Sequence, residues 1–154
     1  MTEQLSEKEL WNKAVNYLSR REHSRQELSV KLRSTDAERV DTVLDSLEES
    51  GFLSNRRFTE SFVRMRVGQG HGLKRIRFDL QRKGIKDELL AEILDQLEID
   101  WYELAVKLYE RKYSAFLDES DYKEKSKRMR FMSQRGFSID EIQHAISCVQ
   151  SKSY

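Results

Sequence analysis

The chain has 154 residues, 36% of them charged and 38% hydrophobic, with a formal net charge of +1, six glycines, one cysteine and no proline. Mean hydropathy is −0.78, and no apolar run approaches the ~18 residues that cross a bilayer, which excludes a helical membrane protein. A lone Cys148 excludes a disulfide framework and suits a reducing compartment. Average usage would supply about eight prolines, so their absence points to long helices joined by short turns. The opening Met1-Thr2-Glu3-Gln4 lacks the basic-then-apolar layout of a signal peptide, and a cytoplasmic protein is expected.

Helix starts are marked by capping boxes, in which a hydroxyl and a carboxylate three residues apart satisfy each other's backbone N–H groups. Ser6 with Glu9, Ser24 with Glu27, Thr35 with Glu38 and Ser138 with Glu141 all fit. Apolar stripes at helical spacing follow. Leu10, Ala14, Val15 and Leu18 form the first, Leu28 and Leu32 the second, and Val40, Val43, Leu44 and Leu47 the third. Gly51 sits where a left-handed helix stop belongs. Phe58, Phe62 and Met65 resume the pattern, then Leu73, Ile76 and Leu80 before Gly84, then Leu90, Ile93, Leu94 and Leu97. Trp101, Leu104, Ala105 and Leu108 lead to Met129 and Met132, to Gly136, and to Ile139, Ile142, Ile146 and Val149. The chain reads as all-α, with nine helices.

The nine helices fall into three sets that echo one another. His23 through Leu28 with Leu32 overlays His71 through Ile76 with Leu80 at an offset of 48. Ile76-Arg77-Phe78 overlays Met129-Arg130-Phe131 at 53, and Lys83-Gly84-Ile85 overlays Arg135-Gly136-Phe137 at 52. A period near 50 gives three helices per unit, longer than two-helix repeats. Units that cannot bury their apolar faces alone stack on their neighbours, so an elongated, curved array is expected. Its repeats would span residues 6–50, 54–98 and 99–150.

Charge alternates along this array. Residues 54–84 carry nine basic side chains against two acidic, and residues 85–103 one against seven. Residues 36–50 hold six acids and only Arg39, whereas residues 123–135 carry six basic side chains against Glu124. Seven of the nine cations in residues 54–84 are arginines, which suit bidentate contact with phosphate or carboxylate. Such a stretch can steer a polyanion or an acidic protein face. A pI near 7.8 is low for a dedicated nucleic-acid binder, so a protein partner is at least as natural.

Signals for catalysis or metal binding are weak. The Gly68-Gln69-Gly70-His71-Gly72 connector lacks the preceding strand and the Gly-Lys-Ser/Thr ending of a phosphate loop, and reads as a flexible bend between two helices. His144 and Cys148, four apart on one helix, would supply only half a zinc site. His23 and His71 stand at equivalent places before second helices, which suits packing or turn formation. Asp87 and Glu88 fall in a helix first turn, where they complement the macrodipole. No nucleophile–base set is evident, so neither an enzyme nor a cofactor is expected.

Residues Arg21-Glu22-His23-Ser24-Arg25-Gln26-Glu27-Leu28 and Gly51-Phe52-Leu53-Ser54-Asn55-Arg56-Arg57-Phe58 carry a further signal. With Arg75-Ile76-Arg77 through Leu80, Lys83-Gly84-Ile85 and Arg135-Gly136-Phe137-Ser138, they resemble the RecX family of recombinase regulators over residues 8–150. The sequence departs from the family pattern at Ser54-Asn55, Gly68-Gln69, Leu73 and Asp79. The resemblance implies a three-repeat crescent that binds the RecA recombinase, chiefly as its filament on single-stranded DNA. Such a protein would block filament extension and restrain ATP hydrolysis, strand exchange and coprotease activity, with DNA contact secondary. Arg64, Arg66, Lys74, Arg75, Arg77, Arg82 and Lys83 are expected on the partner-facing side, extended by Lys127, Arg128 and Arg130. Arg25, Arg56, Arg57 and Arg135 complete the candidate set. No membrane contact is expected, and nothing in the sequence demands a dimer. The competing readings are a helical DNA-binding module without a protein target and, more remotely, a hydrolase built on the acidic helices.

Overall fold

A computed structural model describes residues 5–32 and 36–151. Among the described residues the structure contains nine α-helices and no strand. These are α1 (Glu7–Leu18), α2 (Arg25–Leu32), α3 (Ala37–Glu49), α4 (Asn55–Gly68), α5 (Leu73–Arg82), α6 (Asp87–Leu97), α7 (Trp101–Lys112), α8 (Tyr122–Gln134) and α9 (Ile139–Ser151).

The helix ends follow local chemistry. Reciprocal capping boxes close at Ser6 and Glu9, Ser24 and Glu27, and Ser138 and Glu141. The expected Thr35–Glu38 box lies partly outside the described residues. The cap seen on α3 is Asp36, whose carboxylate accepts the Arg39 N–H at 3.1 Å. Asp100 and Asp121 cap α7 and α8 in the same way. Gly51, Gly84 and Gly136 all take positive φ at helix ends, and so does Gly70. At each, the glycine and the residue after it donate to carbonyls three and five residues back, the paired bonds of a Schellman stop.

Two compact units result. The first comprises residues 1–62 and 80–93, the second residues 63–79 and 94–154, so α4, α5 and α6 each contribute to both. The first unit is built on α1–α3, whose core holds Leu10, Ala14, Leu28, Leu32, Val40, Val43, Leu44, Leu47 and Leu53. It also buries Phe58, Phe62, Leu80, Ile85, Leu90 and Ile93. In the second unit α7 and α9 form the most extensive helix pair. Ala105, Leu108, Tyr109, Leu117, Met132, Phe137, Ile142 and Ile146 are central to its core.

Two expected core positions are corrected. Met65 is 48% exposed, because α4 turns Thr59 and Val63 inward beside Phe58 and Phe62. Thr59 tolerates this burial by donating its hydroxyl to the Asn55 carbonyl at 2.7 Å. Ile139 is 63% exposed, since it opens α9 ahead of the turn that carries Ile142, Ala145 and Ile146 into the core.

The glycine connector is also corrected: it is a packing joint. Gly70 is buried at φ +84, and a Cβ there would stand 3.0 Å from an Arg111 nitrogen and 3.2 Å from Leu108. Gly72 is buried against the backbone of residues 135–137, donating to the Arg135 carbonyl at 2.7 Å, while Lys74 N–H donates to the Gly136 carbonyl at 3.1 Å. A Cβ on Gly72 would lie 2.5 Å from the Gly136 carbonyl carbon and oxygen. Of the three glycines of the connector, Gly68 alone faces open space.

Candidate functional site

The basic residues of the first unit are largely committed to internal structure. Arg25, on α2, reaches three carboxylates of α3: Asp45 at 2.8 Å, Asp41 at 3.6 Å, and Glu48. Three of the five acids of α3 are thereby held by one guanidinium. Arg56 pairs with Glu92. Arg57 pairs with Glu22 at 3.0 Å and donates to the Gly51 carbonyl at 2.7 Å. Lys83 meets Glu27 at 3.1 Å, and the Arg82 carbonyl accepts from Gln26 at 2.9 Å. Glu27 also receives Arg21 at 3.2 Å and the Ser24 N–H at 3.1 Å. Burial opposes its charge, but the Arg21, Ser24 and Lys83 hydrogen bonds outweigh that and hold its pKa at about 2.

The second unit differs. Lys74, Arg75 and Arg77 lie in the exposed arc of α5, opposite the buried Ile76. Lys123, Lys127 and Arg130 share a stripe of α8 with Gln134, at spacings of four, three and four residues. Arg75 donates to the Gln134 carbonyl at 3.3 Å, so the α5 cations begin where that stripe ends. From Lys123 to Gln134 the stripe covers about 16 Å at 1.5 Å per residue. Among the described residues, Lys74, Arg77, Lys123, Lys127 and Arg130 enter no ion pair within 4.0 Å. Arg66 donates to Gln69 at 2.9 Å, and Arg64 keeps interactions of its own.

One expected partner-facing residue is withdrawn. Arg128 is 4% exposed. Its guanidinium donates to Glu124 at 2.9 Å, the Tyr109 hydroxyl at 2.8 Å and the Ala115 carbonyl at 3.0 Å, and lies 4.7 Å from the centre of the Tyr113 ring. It falls one residue off the Lys123–Lys127–Arg130 stripe, and that 100° step turns it into the core of the unit. Arg135 is half-buried over the Phe131 ring at 5.4 Å.

His23 and His71 are packing residues. His23 is 1% exposed, with Nδ1 3.0 Å from the Arg21 carbonyl and Nε2 3.2 Å from Lys31. His71 is 8% exposed and its buried Nδ1 has no hydrogen-bond partner. Burial first, then Arg66, Arg75 and Arg135, push its pKa below the usual imidazole value, opposed by Asp79. His71 is therefore neutral at pH 7, and three cations crowd the α5 N-terminus around it. Cys148 Sγ lies 3.4 Å from His144 Nε2, but no group of three or more potential metal ligands occurs among the described residues. No helix among the described residues is long and apolar enough to cross a membrane.

Two features escaped the sequence reading. Lys123 belongs to the α8 stripe, which its spacing from Lys127 and Arg130 would have revealed. Phe78 is 58% exposed on α5. It stands two residues from both Ile76 and Leu80, about 200° around the helix, and so faces away from the core.

A chain of capped helices in three-helix sets, with unpaired cations lining α5 and α8, is built as a helical-repeat protein. Three consecutive segments match the RecX family: residues 11–47 its first three-helix domain, 54–94 its second and 98–146 its third. The regulatory protein RecX of Pseudomonas tolaasii is 41% identical over 136 residues, 87% of this chain and 87% of its own. That of Haemophilus influenzae is 37% identical over 145 residues, 92% of this chain and 95% of its own. The crystal structure of RecX from Lactobacillus salivarius matches with a TM-score of 0.76 at 28% identity, covering 94% of this chain and 97% of that one. The chain belongs to the RecX family of regulatory proteins.

Proposed function

We propose that the protein binds the RecA recombinase, chiefly as its filament on single-stranded DNA, and blocks filament extension. ATP hydrolysis, strand exchange and coprotease activity fall as a consequence. The protein acts as a cytoplasmic monomer, by occupancy and charge complementarity rather than by making or breaking bonds, and uses no cofactor. Residues 6–50, 54–98 and 99–150 serve as its three modules, and modest contacts from several of them raise overall avidity without one strong site.

Family membership supports this reading, together with one physical observation. Among the candidate contact residues and Lys123, the unpaired Lys74, Arg77, Lys123, Lys127 and Arg130 lie in the second unit, whereas Arg25, Arg56, Arg57 and Lys83 in the first are neutralised by their own carboxylates. A cation already paired has little left to offer a partner, and breaking its pair adds a cost. Lys74 and Arg77 are accordingly the principal contacts, with Lys127 and Arg130 beside them, whereas Arg75 is already paired with Asp79 at 3.9 Å. Arg128 serves structure instead.

The test is a pull-down with the recombinase, with and without ATP and single-stranded DNA, alongside its ATPase rate. The pair of substitutions Lys74→Glu and Arg77→Glu should weaken inhibition about tenfold or more while helicity and melting temperature stay at the parent values. Unchanged inhibition removes α5 from the interface. DNA contact alone predicts affinity falling with salt at a log–log slope of about −0.9 per neutralised phosphate on duplex DNA. Inhibition of preformed filaments that persists at moderate salt favours the protein contact.

A further inference from the structure

The α5 helix exposes more than charge. Its apolar stripe turns Ile76 and Leu80 inward, yet Phe78 leaves 58% of its surface to solvent. Lys74 and Arg75 stand one turn before it on the same exposed arc, and Arg77 adjoins it. The third repeat provides an internal comparison. Phe131, the counterpart of Phe78 at the offset of 53, is half-buried in the same unit. Its ring meets Tyr113 edge-on at 5.9 Å, with Lys112 at 5.0 Å and Arg135 at 5.4 Å. Phe78 also has interactions of its own, but they leave most of the ring in water.

Resting on the function proposed above, we propose that Phe78 is the hydrophobic anchor of the interface, seating in an apolar pocket bordered by carboxylates on the protein partner. An aromatic ring inside a guanidinium-bearing rim has the composition of an interface hot spot, where one large side chain is desolvated and charged neighbours exclude water around it. The rim cations fix the sign of the partner surface, because Lys74 and Arg77 have no carboxylate of their own to satisfy them. Single-stranded nucleic acid is the less suitable occupant. Sequence-tolerant stacking platforms offer a succession of aromatic side chains along a groove, and Phe78 is the only aromatic residue of α5.

The experiment uses the full-length protein, the recombinase filament assembled on poly(dT) with a slowly hydrolysed ATP analogue, and poly(dT) alone. Circular dichroism of Phe78→Ala and Phe78→Leu should match the parent, as expected for an exposed side chain. Phe78→Ala should bind the filament about tenfold or more weakly, and Phe78→Leu within about threefold of the parent. The Phe78→Ala ratio should hold between low and moderate salt, whereas the loss caused by Lys74→Glu should shrink as screening increases. Affinity for poly(dT) alone should be the same for the parent and both Phe78 variants. Parent-level filament binding by Phe78→Ala overturns the proposal, and so does an equal loss on poly(dT) alone, which would mean stacking on bases. Failure of the parent itself to bind the filament is a different result, which removes the proposed function and this anchor with it.

Discussion

Glu27 is the residue where a single proton should be felt most clearly. Its carboxylate is 12% exposed and joins Arg21, the Ser24 amide and Lys83, so it caps α2 and links it to the residue that follows α5. Its pKa of about 2 compares with an ordinary 4.5. At 1.36 kcal/mol per pKa unit, the ionised form contributes about 3 kcal/mol of stability at neutral pH. The folded-state value is depressed, so this contribution is complete above the ordinary carboxylate range and is lost as pH falls through about 2. Glu27→Gln keeps the shape and still accepts the Ser24 N–H, but it removes the charge. Urea unfolding should therefore find the variant about 2–3 kcal/mol less stable than the parent at pH 7, and only about 1 kcal/mol less stable at pH 2.5. Comparing the two proteins at each pH cancels the titration of every other group. A deficit that is the same at both pH values, or below about 0.5 kcal/mol at pH 7, would refute the reasoning.

Gly72→Ala should destabilise by about 2–3 kcal/mol, because the new methyl meets Gly136 backbone at 2.5 Å rather than a side chain that can swing away. Gly68→Ala, four residues earlier at the end of α4 and in open space, should be neutral or stabilising by about 0.5–1 kcal/mol. Equal melting temperatures for the two variants would restore a flexible connector. Arg128→Met leaves the buried Tyr109 hydroxyl and the Ala115 carbonyl without their donor, and should cost about 2–3 kcal/mol by thermal or chemical unfolding. Arg130→Met, two residues further along α8 and exposed, should change stability by less than about 0.5 kcal/mol. If the two variants melt alike, Arg128 is not the structural residue its contacts describe.

Much of this architecture is legible in the residues themselves. Ser24 with Glu27 marks the start of α2 because both groups of the capping box lie within one turn, and Gly84 marks the end of α5 because a positive φ needs no tertiary partner. The exposure of Phe78 is legible in the same way, from its angle to Ile76 and Leu80. Met65 and Thr59 show where such reasoning fails. Side-chain hydropathy favours burying the methionine, yet Thr59 goes inward because the Asn55 carbonyl, supplied by the helix itself, satisfies its hydroxyl. Charge counts fail for a related reason. Arg128 and Arg130 are equal as letters, and only the direction each takes from α8 separates an internal brace from an available cation.

By itself, then, the sequence determined the helices, their caps and stops, the threefold echo and the family, because each depends on neighbours within a few residues or on a pattern that repeats. The tertiary structure alone decided which cations remain available and what the glycines do. Arg25 is quenched by carboxylates 16 to 23 positions away, Lys83 by one 56 positions away, and Gly72 closes on a carbonyl 63 positions away. Coulomb attraction and backbone contact act over a few ångströms of space, whatever the distance along the chain.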